Sequence, residues 1–129
     1  MVEQPRVRAG IDPIEGQLMN RVVAHIRLVA QPGQREALVE QLLGSLSDQL
    51  GSAEACEMFL VSRSRDDENV VWVTELWSSQ DAHDGLFSNN RLNNEVTRIQ
   101  LGYLAEPADL VLRIYSDVVG GFGPSKGFE

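Results

Sequence analysis

The apolar residues of this chain repeat at every second position in some stretches and at helical spacing in others, and the order of those stretches admits few folds. Residues 21–29 are rich in Val and Ile, and their polar members Arg21, His25 and Arg27 share one parity. That pattern predicts a strand with one apolar face. Gln31-Pro32-Gly33 stops it. Leu38, Leu42, Leu46 and Leu50 follow at helical spacing, with Val39 and Leu43 beside them. Glu36 and Glu40 stand in the early turns of that helix, and Gly51-Ser52 ends it. A second strand is predicted over 55–63, a polar turn over 64–69, and a third strand over 70–77, so that the pair forms a hairpin. Ser79 reads as the cap of a second helix that begins Gln80-Asp81-Ala82-His83. It continues through Leu86, Leu92, Val96 and Ile99, with a break near Ser88-Asn89-Asn90. Glu106-Pro107 ends it, and residues 109–115 read as a fourth strand.

The order β-α-β-β-α-β predicts an α+β domain of the ferredoxin-like kind. Right-handed crossovers place both helices on one face of a four-stranded antiparallel sheet. The other face is then bare, and a sheet buries its apolar face against another layer. A second copy of the chain supplies that layer most simply, so a homodimer paired sheet to sheet is expected.

At 129 residues the chain has the length of one domain. The expected division is an irregular N-terminal arm over 1–20, the folded domain over 21–116, and a glycine-rich tail over 117–129. The arm is read either as disordered or as packed on a partner subunit. The net charge is −8, which argues against nucleic acid and anionic membranes as partners, since both call for clustered Lys and Arg. The single cysteine, Cys56, rules out an intrachain disulfide framework and points to a reducing, cytoplasmic setting. No run approaches the ~20 apolar residues of a membrane span, and residues 1–10 lack the apolar core of a signal peptide.

The chain has two histidines, His25 and His83. They are far apart in sequence, and no CxxC or HExxH spacing accompanies them, so no metal is expected. The P-loop, the dinucleotide-binding glycine pattern and the GxSxG elbow are absent, and no cofactor is expected. What remains is a pocket where the third strand meets the second helix. Trp77 closes that strand, Glu75 lies on the same side two residues earlier, and His83, Leu86 and Phe87 follow on the helix. His25 lies mid-strand on the neighbouring first strand and is expected to approach Trp77 or Glu75. Either imidazole suits a general base near neutral pH. Each residue also has a plain reading. The tryptophan is a core aromatic, each histidine a surface or interface group, Glu75 a partner for Arg27 or Arg113, and Cys56 a small packed hydrophobe.

Val73-Thr74-Glu75-Leu76-Trp77-Ser78-Ser79-Gln80-Asp81-Ala82-His83 resembles the signature of the antibiotic biosynthesis monooxygenase family. The family pattern is Glu-x-Trp, a short polar cap, then Ala-His or a similar pair opening a helix. Pro32-Gly33, Cys56 and Leu104-Ala105-Glu106-Pro107 resemble it too, and the likeness spans about residues 21–116. The resemblance implies a dimeric α/β barrel with a cavity in each subunit. Members of this family oxidise phenolic polyketides or quinols with O₂, without metal or flavin. Others degrade haem or isomerise small sugars. One departure is Leu86, which stands where the family often carries a second histidine. It counts against haem ligation.

The function expected on these grounds is cofactor-independent oxidation of an aromatic polyketide or quinol by O₂. His25 or His83 is the candidate base, and Trp77, Phe87, Glu75 and Leu86 are candidate substrate contacts. An isomerase or cyclase using the same pocket, and a dimer that binds a small molecule without turnover, are the competing readings.

Overall fold

In the computed structural model, which describes residues 20–121, the four strands form one antiparallel sheet in the order β2-β3-β1-β4. The strands are β1 (Val22–Val29), β2 (Cys56–Arg63), β3 (Val70–Trp77) and β4 (Leu112–Asp117). The helices are α1 (Arg35–Gln41), α2 (Ser47–Gly51), α3 (Gln80–Phe87) and α4 (Asn90–Tyr103). This is the predicted ferredoxin-like arrangement. The arm expected over 1–20 lies outside the described residues except for Asn20, as does the tail beyond Gly121. No described helix is long and apolar enough to cross a membrane.

Strand β1 alternates strictly. Val22, Ala24, Ile26 and Leu28 are buried toward the helices, while Val23, His25, Arg27 and Val29 are half-buried on the opposite face. Its partner β3 sends Val71, Val73, Glu75 and Trp77 to the helix side. A bulge at Glu57 lets Cys56 pair with Trp77 while Met58 pairs with Leu76. Arg21 meets the bulged Glu57 in a two-bonded ion pair, 2.6 and 2.7 Å, across the end of β3.

Gln31-Pro32-Gly33-Gln34 is a tight turn closed by Gln34 N–H donating to the Gln31 carbonyl at 2.9 Å, with Gly33 at φ +77°. Pro and Gly hold the second and third places that a type II turn requires of them. Arg35 Nη1 then donates to three carbonyls of the β2–β3 connection, those of Ser64 and Asp67 at 3.0 Å and Val70 at 3.4 Å.

The first helix is not continuous. A π-helical segment, Leu42–Leu46, joins α1 to α2, and Gly44 breaks the helical ladder. The leucines explain the wide turn. A repeat of four residues drifts around an α-helix of 3.6 residues per turn, and the wider π turn takes up the difference. Leu38, Leu42, Leu46 and Leu50 are all buried as a result. The predicted break in the second helix is present. Asn89 caps α4, its side chain accepting from the N–H groups of Arg91 and Leu92. The fourth strand starts later than predicted, because Pro107 opens a short 3₁₀ turn, Ala108–Leu110, before β4 begins.

On the face away from the helices, Leu60, Leu112 and Ile114 are 37%, 44% and 48% exposed. His25 stands among them, opposite Thr74 on one side and Ile114 on the other.

Candidate functional site

The site is built by the β3–α3 junction. Ser79 caps α3 through its hydroxyl, which accepts from Ala82 N–H at 3.0 Å. With only Ser78 and Ser79 between strand and helix, the first turn of α3 is folded back over the end of β3. His83 is thereby buried against Trp77, ring centroids 4.9 Å apart and nearly perpendicular. Phe87, one turn on, lies 4.7 Å from His83 and 5.7 Å from Trp77. Tyr115 of β4 closes the group, its ring edge-on to His83 at 5.5 Å. Such aromatic pairs add about 0.5–1.5 kcal/mol beyond the area they bury.

Glu75 is the charged member of this corner. It is 4% exposed, and its Oε1 accepts a hydrogen bond from Trp77 Nε1 at 2.9 Å. Burial pushes its carboxyl above the usual carboxylate range, against the lowering effects of the Trp77 bond, His83 and Arg113. His83 Nδ1 lies 2.9 Å from Asp84 Oδ1, and the Asp84 side chain is 62% exposed. Asp84 is held below the usual carboxylate range by His83 first and then by the Gln80 amide. Burial pushes the Cys56 thiol up to about 11, so it is inert at neutral pH.

Beside the aromatic corner, between sheet and helices, is a cavity of about 50 Å³. Leu42, Leu46, Val73, Ile99 and Phe87 give it an apolar wall, and Glu75, Gln100 and Arg113 are its polar members. This volume holds O₂ or a few waters, since one water needs about 10–15 Å³. Among the described residues, no three His, Cys, Asp or Glu side chains come together to hold a metal ion.

The structure brings Trp77, Glu75, His83 and Phe87 together, with Glu75 and Phe87 on the cavity wall itself. It does not bring His25 to them. His25 pairs with Thr74, whereas Trp77 and Glu75 pair with Val22 and Ala24, so His25 projects from the other face of the sheet. Leu86 does not line the cavity either. It faces a shallow groove on the outside, beside Gln49, Ser52 and Arg91. Arg27 is likewise on the wrong face to pair with Glu75, while Arg113 shares its face and acts on it. Tyr115, Gln100 and Asp84 were not singled out from the sequence. Tyr115 and Arg113 share a parity on β4, but only the β1–β4 register, Ala24 to Tyr115 and Ile26 to Arg113, puts them on the helix side of the sheet, Arg113 at the cavity and Tyr115 against His83.

The sequence model of the antibiotic biosynthesis monooxygenase family matches residues 21–90, from the start of β1 through the cap of α4. The chain belongs to this family. Solved structures share its fold. A Chloroflexus aurantiacus protein, provisionally assigned as an antibiotic biosynthesis monooxygenase, is 24% identical with a TM-score of 0.61, over 81% of this chain and 98% of that one. A Caulobacter crescentus protein with the same provisional assignment is 19% identical with a TM-score of 0.68, over 81% and 95%. One from Nitrosomonas europaea, also so assigned, is 13% identical with a TM-score of 0.68, over the same shares. At these identities the likeness is one of fold. No curated protein matches the sequence.

Proposed function

We propose that this chain is a homodimeric, cofactor-free oxygenase that oxidises a small phenol, enol or quinol with O₂ in the cavity between sheet and helices. The observation that carries this reading is the cavity itself: an apolar space with one buried carboxyl, Glu75, on its wall and the His83 imidazole packed behind its Phe87 wall. Such a space suits the chemistry. Ground-state O₂ reacts slowly with closed-shell molecules, but a phenolate or enolate supplies the first electron itself. Superoxide and the carbon radical then combine to a peroxide. For an activated CH₂ group, loss of water leaves a carbonyl. Both C–H bonds are broken, one oxygen atom enters the product and the other leaves as H₂O.

The protein's part is to ionise the substrate, to keep it beside O₂, and to exclude bulk water. His83 is the imidazole of this site, with Phe87 as its aromatic wall, Trp77 packed behind that wall, and Arg113 as the cation beside the developing oxyanion. At about 50 Å³ the cavity is smaller than the 300–1,000 Å³ typical of ligand pockets. A ring therefore enters by displacing a wall, and Leu42 and Leu46 on the interrupted helix are the wall with the weakest backbone ladder.

A second copy of the chain covers the exposed face of Leu60, Leu112 and Ile114, and His25 belongs to that interface rather than to the cavity. The cytoplasm, with its O₂ and reduced thiols, is the proposed setting.

The test is O₂ uptake by chelator-treated protein offered anthrones, naphthols and hydroquinones, with the uncatalysed rate subtracted. Enzyme-dependent uptake supports the reading, and uptake no faster than autoxidation across the panel refutes it for those classes. Two buried titratable groups, Glu75 and His83, also favour a second reading, acid–base isomerisation in the same cavity. Turnover that persists without O₂ selects it.

A further inference from the structure

Two side chains of opposite charge line the cavity without pairing with each other. Glu75 comes from β3 and Arg113 from β4, with β1 between them. The register sets Glu75 beside Ala24 and Ala24 beside Tyr115, and Arg113 is two residues from Tyr115 along β4. Two strand spacings across and two residues along separate the two backbones by roughly 12 Å. Ala24 has the smallest of the four inward side chains of β1, so the sheet between the two charges is low there.

A carboxylate and a guanidinium that share an apolar space ordinarily close on each other, because a charge is costly to bury unpaired. Here the described residues form no Glu75–Arg113 ion pair, and the hydrogen bond on the Glu75 side chain comes from Trp77 on its own strand. That bond engages Oε1, and a carboxylate accepts at more sites than one bond fills. The two groups also differ in depth. Glu75 is 4% exposed, whereas Arg113 lies on the exposed edge strand. The cavity therefore has an acceptor at its inner end, a fork of N–H donors at its mouth, and apolar walls between, among them Ile26, Val73, Phe87 and Ile99.

We propose that Glu75 and Arg113 together select a substrate with a hydroxyl at one end of a conjugated system and a carbonyl at the other. The hydroxyl donates to Glu75 and the carbonyl accepts from Arg113, so the ligand fills the gap the two side chains leave and lies hydroxyl inward. This rests on the cavity being the substrate site, as the proposed function has it, and adds the carbonyl to the phenol or enol named there. Conjugation joins the two ends. A bond that draws electrons toward the carbonyl oxygen makes the hydroxyl a better donor, and hydrogen bonds linked in this way strengthen one another. A phenol without the carbonyl meets Glu75 and leaves the Arg113 donors without an acceptor from the ligand.

The test is binding of 4-hydroxyacetophenone, measured by calorimetry under nitrogen at neutral pH, so that no turnover is needed. One control is 4-ethylphenol, which keeps the shape and the hydroxyl but has no carbonyl. The other is acetophenone, which keeps the carbonyl but has no hydroxyl. 4-Hydroxyacetophenone is expected to bind at least about tenfold tighter than either, the worth of one hydrogen bond to a charged group. Arg113→Gln should weaken 4-hydroxyacetophenone and acetophenone by about tenfold and leave 4-ethylphenol unchanged. Arg113→Lys, which keeps the charge at this exposed position, should recover part of that loss. Glu75→Gln should weaken 4-hydroxyacetophenone and 4-ethylphenol and leave acetophenone unchanged, because Trp77 Nε1 keeps the amide oxygen and the NH₂ cannot accept. Three equal affinities, no binding of 4-hydroxyacetophenone, or the same loss for all three compounds in either variant overturns the proposal. The oxygenase reading fails separately, through O₂ uptake no faster than autoxidation, whatever the three affinities are.

Discussion

Glu75→Gln should change how stability depends on pH. The wild-type carboxyl is 4% exposed and takes one hydrogen bond from within the described residues, that of Trp77 Nε1. Burial raises its folded-state value above the ordinary glutamate value. The folded protein therefore binds this proton more tightly than the unfolded chain does. Stability is fully present below the ordinary value and is lost as pH rises through the folded-state value. Each unit of separation is worth about 1.4 kcal/mol. The amide does not titrate, so this slope disappears in the variant. Lowered carboxylates such as Asp84 and Glu95 act with the opposite sign, losing stability as pH falls, but they are common to both proteins and cancel in the difference. The amide brings a fixed penalty of about 1–3 kcal/mol if its NH₂ finds no acceptor, and that penalty shifts the difference without tilting it. The assay is thermal unfolding from acid to neutral pH. The variant's Tm should gain on the wild type as pH rises, by about 4–8 °C for each kcal/mol in a domain near 100 residues. Parallel Tm curves across that range would falsify the account of Glu75 as a buried, under-solvated carboxylate.

Trp77→Phe removes the donor to Glu75 from a fully buried position and should cost at least about 1.5–3 kcal/mol in urea unfolding at neutral pH, with a smaller loss in a Glu75→Gln background. Ser79→Ala deletes the α3 cap and should cost about 1 kcal/mol, and it should also loosen His83, seen as a narrower chemical-shift separation between the two histidines. Ile114→Lys puts a charge on the exposed face opposite His25 and should convert a dimer to a monomer in light scattering while leaving the far-UV circular dichroism unchanged.

Much of this fold was legible because strands and helices carry their periods openly. Strand β3 was delimited to the residue, since Val70 to Trp77 is apolar or β-branched at every position but Glu75 and is bounded by polar turns. That same property hid the site. Trp72, Thr74 and Leu76 form as plausible an inner face as Val71, Val73 and Glu75, so parity along β3 does not say which face the helices cover. His25 was expected near Trp77 or Glu75 because β1 and β3 are neighbours, and the β1–β3 register puts it on the other face. Tyr115 reaches His83 only through the β1–β4 pairing, a long-range contact no local pattern encodes. Leu86 was misplaced because α3 is eight residues long, too short for its apolar face to be read apart from its packing. The π turn at Leu42–Leu46, by contrast, was written in the four-residue leucine repeat and was there to be read.

The Arg35 guanidinium, holding three carbonyls of the β2–β3 connection, has a consequence for how the molecule opens. A hairpin turn and a helix start ordinarily fray independently, each exchanging its amide protons at its own rate. Here neither can open without releasing the same side chain, so the two should exchange as one cooperative unit. That unit forms the end of the sheet remote from Trp77, so its opening leaves the β3–α3 junction at the other end of β3 intact.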